Sequence, residues 1–133
     1  MSIELDHTIV PASDRRASAK LLADVLGVDW SETGVGPFCP VYVSDSLTLD
    51  FDQAEGAIAP LHYAFRVNDT SFDQIVDRLR KNGIPFRSTP HGPVDGQVNT
   101  SVGGRIVYWS QPDGHVWEAL TLSYARMPQV HKA

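Results

Sequence analysis

The fold is decided by residues 61–83, LHYAFRVNDTSFDQIVDRLRKNG, which predict a β-strand followed at once by an α-helix. The strand is expected over residues 61–67, and Asp69 or Thr70 is expected to cap the helix at its N-terminus. Asn82-Gly83 is expected to end the helix. Between these ends, apolar side chains recur at i, i+3, i+4 and i+7, which places them on one face of a helix. They are Phe72, Ile75, Val76 and Leu79.

A similar pattern lies near the N-terminus. Residues 3–10 alternate apolar and polar side chains for most of their length, and this alternation predicts a half-buried strand. Pro11 is expected to close the strand, and Ser13 to cap a helix that ends at Gly27.

Histidines stand at matching places in the two patterns. His7 precedes the helix-ending Gly27 by 20 residues, and His62 precedes the helix-ending Gly83 by 21 residues. Each pattern therefore carries a histidine on its first strand, which indicates an internal duplication.

The two halves also match in their last strands, each of which carries a carboxylate. The remaining predicted strands cover residues 40–44, 47–52, 85–88, 105–110 and 115–122. Asp50 follows Ser44 by six residues on the last strand of the first half, and Glu118 follows Ser110 by eight on the last strand of the second. The two-residue difference fits the longer turn at 111–114. Each half is thus predicted to run strand–helix–strands.

The composition predicts one folded domain. The chain has 133 residues, of which 42% are hydrophobic and 20% are charged, enough to form a packed core. Within it we expect a first module over about residues 3–53 and a second over about residues 61–122. Residues 126–133 show no pattern and are expected to form a loosely ordered tail.

The net charge and the cysteine content limit the expected binding partners and cellular location of the protein. A formal net charge of −5 argues against nucleic acid as a partner. No apolar run approaches the roughly 18 residues of a membrane span, and the first residues do not resemble a signal peptide, so no membrane partner is expected. Cys39 is the only cysteine. It excludes an internal disulfide and a cysteine-based zinc site and makes a cytoplasmic location the default expectation.

The matching polar residues predict a metal site. Two halves related by an approximate two-fold would bring His7, His62 and Glu118 to a shared cleft, with Asp50 as a possible fourth group. Two imidazoles and a carboxylate suit a divalent ion such as Fe, Mn, Ni or Zn and leave positions open for substrate or water. Glu118 also falls on an apolar face of its strand, where a carboxylate needs a partner.

Simpler interpretations of these residues remain open. A histidine on a strand is more often a hydrogen-bonded core or surface residue than a ligand. The partner of Glu118 could be an arginine, Arg66 or Arg105. Asp50 and Asp52 could form the solvent-facing side of an edge strand.

Other chemically distinctive residues have structural interpretations. His91 and His115 are expected in a loop and a turn. Cys39 is expected to be a small buried residue. Three tryptophans are expected to be core or dimer contacts, and alternatively aromatic walls of a ligand cleft. They are Trp30, Trp109 and Trp117.

At these residues the chain resembles the vicinal oxygen chelate superfamily, which includes glyoxalase I, extradiol dioxygenases and the fosfomycin- and bleomycin-resistance proteins. Residues 5–10 (LDHTIV) and 61–67 (LHYAFRV) resemble the opening strands of the two family modules. Residues 104–109 (GRIVYW) and 112–118 (PDGHVWE) are similar to the closing hairpin. The resemblance implies an α+β fold of two βαβββ modules related by a pseudo-two-fold, in an open, cupped, eight-stranded mixed sheet with the helices outside.

The resemblance also implies a ligand set and a homodimer. His7, His62 and Glu118 stand at the three positions shared by metal-dependent members, and Asp50 stands where glyoxalase I enzymes usually carry a glutamate. Ile9 stands where fosfomycin-resistance members usually have a threonine, which counts against that activity. Bleomycin-binding members lack the ligands that this chain has.

The predicted function is a metal-dependent enzyme acting on a small substrate with two adjacent oxygen atoms. The reaction is of the lyase or isomerase type, or of the ring-cleaving dioxygenase type, with Glu118 or Asp50 as proton carrier. Tyr108, Arg66 and the loop at 90–104 are candidates to line the pocket. The alternative is a non-catalytic small-molecule or drug-binding protein.

Overall fold

A computed structural model describes residues 2–127, in which eight strands and two helices are formed. The predicted tail falls mostly at 128–133, outside the described residues. In chain order the elements are β1 (His7–Ala12), α1 (Arg15–Leu26), β2 (Asp29–Trp30), β3 (Cys39–Ser44), β4 (Leu47–Gln53), β5 (His62–Arg66), α2 (Asp69–Lys81), β6 (Phe86–Arg87), β7 (Ile106–Ser110) and β8 (Val116–Leu120).

The chain forms two compact units with the same internal topology. Among the described residues, the first unit holds those up to Leu61 together with Gln111–His115, and the second holds 62–110 and 116–127. The strand order is β1-β4-β3-β2 in one four-stranded sheet and β5-β8-β7-β6 in the other. In each sheet the first and last strands pair in parallel and the other pairs are antiparallel. The predicted α+β fold of two βαβββ modules with mixed sheets is confirmed.

The strand registers confirm that the matched polar residues occupy equivalent positions. Ile9 pairs with Asp50 in the first sheet, and Ala64 pairs with Glu118 in the second. Each histidine lies two residues before the paired residue of its own strand. Since side chains alternate between the faces of a sheet, each histidine shares a face with the carboxylate of its own unit.

Both helix caps lie one residue from the predicted positions. Asp14, not Ser13, caps α1 by accepting a hydrogen bond from the Ala17 amide. Asn68, not Asp69 or Thr70, caps α2. The amide of Ser13 donates instead to the Asp113 carboxylate. Adjacent polar residues are equally good caps by composition, and the tertiary contact decides between them.

The first strand also differs from its prediction. β1 begins at His7 rather than Ile3 and continues through Pro11 to Ala12. Proline is tolerated because β1 lies at the edge of its sheet, where β4 is its one paired strand among the described residues. β2 lies in a stretch for which the sequence predicts no strand.

The core of the second unit is formed between its sheet and α2. Trp109 and Trp117 are fully buried, and the four residues of the predicted helix stripe are buried. These two tryptophans are therefore core residues, while Trp30 is half-buried on β2. Cys39 is buried in the first unit, as predicted. No helix within residues 2–127 is long and apolar enough to cross a membrane.

His115 is a buried structural residue and not the simple turn residue expected from the sequence. Its Nδ1 accepts a hydrogen bond from the Leu61 amide at 3.0 Å, and its Nε2 lies 2.7 Å from the Pro11 carbonyl oxygen. Since Nδ1 is an acceptor, Nε2 carries the proton and donates to Pro11. One imidazole thus joins the turn after β7, the end of β1 and the residue preceding His62.

Replacement of His115 by alanine is expected to lower the free energy of unfolding by about 2–4 kcal/mol, because two backbone groups lose their side-chain partner. Urea unfolding followed by tryptophan fluorescence measures the change. The matched control is His91→Ala, since His91 is exposed in a loop. Equal stabilities of the two variants would contradict the role given to His115.

Candidate metal centre

The face of β5 that carries His62 opens on a cavity of about 430 Å³ in the second unit. His62, Ala64 and Arg66 alternate along this face, because every second side chain of a strand points the same way. Glu118 and Leu120 of β8 form a second wall, and Ser123, Tyr124 and Ala125 complete the lining.

Glu118 is the chemically unusual group of this cavity. Its side chain is 0% exposed, whereas that of His62 is 42% exposed. Oε1 of Glu118 lies 2.8 Å from Nε2 of His62 and accepts a hydrogen bond from the Tyr124 hydroxyl, also at 2.8 Å. Oε2 has no hydrogen-bond partner among the described residues.

An apolar cluster surrounds this carboxylate on the cavity face of β7 and β8. Removing a carboxylate from water is costly unless all its lone pairs find partners. A divalent cation would supply the missing partner of Oε2, and an imidazole nitrogen already faces Oε1. The residues present therefore fit a divalent metal for two reasons. Imidazole and carboxylate are suitable donor groups, and one carboxylate oxygen lacks a partner among the described residues. The cluster consists of Ile106, Tyr108, Val116 and Leu120, with Val102 packed against it.

Neither arginine considered as a partner of Glu118 contacts it. Arg105 instead forms ion pairs with Asp69 and Asp73 and lies over the Phe72 ring. Arg66 lines the cavity, and its side chain makes no hydrogen bond or ion pair with any residue that the structure describes. The arginine interpretation of Glu118 is wrong.

Two tyrosines flank the carboxylate, and the sequence alone does not identify Tyr124 as one of them. Burial is the main factor raising the pKa of both Tyr108 and Tyr124. The Glu118 carboxylate raises the pKa of Tyr124 further by accepting its proton in a hydrogen bond. Tyr124 therefore remains a donor at neutral pH. Tyr124 follows β8 in a segment without any hydrophobic period, so no pattern points to it.

The first unit has a corresponding cavity of about 410 Å³, which His7 and Asp50 line. His7 Nδ1 lies 2.7 Å from a carboxylate oxygen of Asp6. This hydrogen bond, the charge of Asp6 and the charge of Asp50 raise the pKa of His7. Asp50 is half-buried, and its carboxylate forms no hydrogen bond with the described residues.

The structure thus brings the predicted residues together in pairs. His62 and Glu118 share one cavity, and His7 and Asp50 share the other. No group of three or more His, Cys, Asp or Glu side chains within residues 2–127 is arranged to hold a metal ion. The three-residue ligand set remains a prediction.

Similarity to solved structures covers nearly the whole chain. No protein-family model matches the chain, and no curated protein matches it. "Oxidase ChaP-H1" is 47% identical over 93% of this chain and 99% of that chain, with a TM-score of 0.86. "Oxidase ChaP-H2" is 42% identical over 94% and 98%, with a TM-score of 0.87. The fosfomycin resistance protein FosX from Mesorhizobium loti is 20% identical over 93% and 96%, with a TM-score of 0.68, and is similar in fold.

Replacement of Asp6 by asparagine is expected to lower the pKa of His7 in the metal-free protein. The reason is that the raised pKa rests mainly on the hydrogen bond and charge of Asp6. NMR titration of the imidazole measures the pKa. Asp45→Asn, in the β3–β4 turn, is the control, and an unchanged His7 pKa in Asp6→Asn would contradict the assignment.

Proposed function

Since this chain belongs to the vicinal oxygen chelate superfamily, we propose that it is a metal-dependent enzyme that oxidises a small substrate with two adjacent oxygen atoms. The observation that carries the proposal is the fully buried Glu118 carboxylate, with one oxygen between His62 and Tyr124 and the other without a partner. Two solved relatives, 47% and 42% identical to the chain, are named oxidases, which favours oxidation over a lyase or isomerase reaction.

The proposed ligands are His7, His62 and Glu118. Two imidazoles and one carboxylate form the ligand set of non-haem Fe(II) oxygenases, and the same set accepts Mn, Ni or Zn. When bound, the metal would act as a Lewis acid on the paired substrate oxygens and, as iron, would provide a site for dioxygen.

The residues of the cavity have distinct tasks in this proposal. Ala64, Leu120 and Ala125 offer small or apolar walls that limit water around the substrate. The Arg66 guanidinium has no hydrogen-bond or ion-pair partner among residues 2–127 and shares a β5 face with His62, so its charge is available to orient an anionic substrate oxygen. Asp50 lines the cavity of the first unit, and its carboxylate, which accepts no hydrogen bond from a described residue, is available to take a substrate proton.

A homodimer would supply the complete ligand set. Each unit offers one histidine and one carboxylate, and three ligands do not meet within residues 2–127 of one chain. We therefore propose that His7 of one copy joins His62 and Glu118 of another. A two-fold dimer would form two such sites.

Metal-depleted protein is expected to bind about one divalent ion per chain and to unfold at a higher temperature with it, since a ligand that binds only the folded state stabilises it. Calorimetric titration with Mn²⁺, Ni²⁺, Zn²⁺ and anaerobic Fe²⁺ measures the affinity. His62→Ala and the isosteric Glu118→Gln should each weaken binding by more than about 100-fold, because each removes a direct ligand. His91→Ala is the control.

If none of the four ions binds and none raises the unfolding temperature, the proposal of a metalloenzyme is wrong. A small molecule that binds with equal affinity to the wild type and His62→Ala would support a non-catalytic binding protein instead.

Mixing two inactive variants tests the shared site. In His7→Ala the residues His62 and Glu118 are intact, and in His62→Ala the residue His7 is intact. After subunit exchange, about a quarter of the wild-type metal sites should return, because half of the dimers are mixed and each has one intact site. No recovery, with subunit exchange confirmed by native mass spectrometry, would place all three ligands within one chain.

A further inference from the structure

The segment that follows β8 returns to the face of the sheet on which His62 and Glu118 lie. Ser123, Tyr124 and Ala125 of this segment line the cavity together with those two residues. Tyr124 reaches the carboxylate with its hydroxyl, while its residue as a whole is still 36% exposed. Tyr124 is thus a partly exposed residue whose hydroxyl donates a hydrogen bond to the fully buried Glu118 carboxylate.

Two donors meet at Oε1 of Glu118, and they differ in what they can do when a metal is present. His62 faces Oε1 with Nε2, and Tyr124 faces it with its hydroxyl. Nε2 of an imidazole makes one bond, either to a proton that it donates or to a metal. In the proposed function His62 binds the metal, so it cannot donate to Glu118 at the same time. Tyr124 is then the only donor among the described residues that still holds the carboxylate.

We propose that Tyr124 is a positioning residue of the metal centre, which orients the Glu118 carboxylate through Oε1 and keeps Oε2 available as a metal ligand. The inference rests on the proposed function and concerns a residue outside the predicted ligand set. Groups that hydrogen-bond to metal ligands fix their orientation, and their loss typically weakens metal affinity about 10–100-fold. Burial of Glu118 strengthens the case, because no water competes for the carboxylate in an apolar wall.

The test compares metal binding by the wild type with that by Tyr124→Phe, which removes only the hydroxyl. Tyr63→Phe is the matched control, since Tyr63 stacks on Trp117 on the opposite face of the same sheet. Metal-depleted full-length proteins are titrated calorimetrically with Mn²⁺ and with Zn²⁺ at one pH. Near-UV circular dichroism verifies that the buried tryptophans are packed alike, and thermal unfolding of the metal-free proteins is recorded.

Tyr124→Phe should bind both ions about 10–100-fold more weakly than the wild type, and Tyr63→Phe should bind them as the wild type does. If Tyr124→Phe unfolds at a lower temperature without metal but binds the ions with wild-type affinity, Tyr124 is structural and the inference is wrong. That outcome leaves the proposed function intact, because the wild type still binds metal and His62→Ala does not. A wild type that binds neither ion overturns both.

Discussion

One buried carboxylate determines what the second unit can do. Glu118 lies in the middle of β8, within an apolar cluster, and only one of its oxygens has partners among the described residues. Such a group costs stability unless something pairs with it, and this cost supports the proposed role of Glu118 as a metal ligand. His62 and Tyr124 both hydrogen-bond to this carboxylate, and all three residues line the same cavity.

The duplicated topology explains why a histidine and a carboxylate recur together. Parallel pairing of the first and last strands puts the two residues of each unit on one face, whichever half is considered. The halves then diverge. Glu118 is fully buried and its carboxylate is held by two donors, whereas Asp50 is half-buried and its carboxylate forms no hydrogen bond with the described residues. In the proposed function the buried carboxylate binds the metal and the carboxylate of the other unit accepts a substrate proton.

The elements that the sequence predicted well are those with a local signal. The strand–helix frames, the helix stripe of α2 and the positions of His62 and Glu118 all follow from periodicity and spacing, and the structure bears out the fold. The roles of His115 and Tyr124 follow from no such signal. His115 contacts Pro11, 104 positions away, and Tyr124 lies in an aperiodic segment. Contacts of this kind depend on the folded chain and leave no local pattern.

The central claim is that His7, His62 and Glu118 hold a divalent metal. Anomalous diffraction from crystals of the metal-loaded protein tests it most directly. One peak per site is expected, with Nε2 of His62, an oxygen of Glu118 and an imidazole nitrogen of His7 each about 2.0–2.2 Å from the ion. A peak elsewhere, or none while the His62–Glu118 hydrogen bond persists, would contradict it.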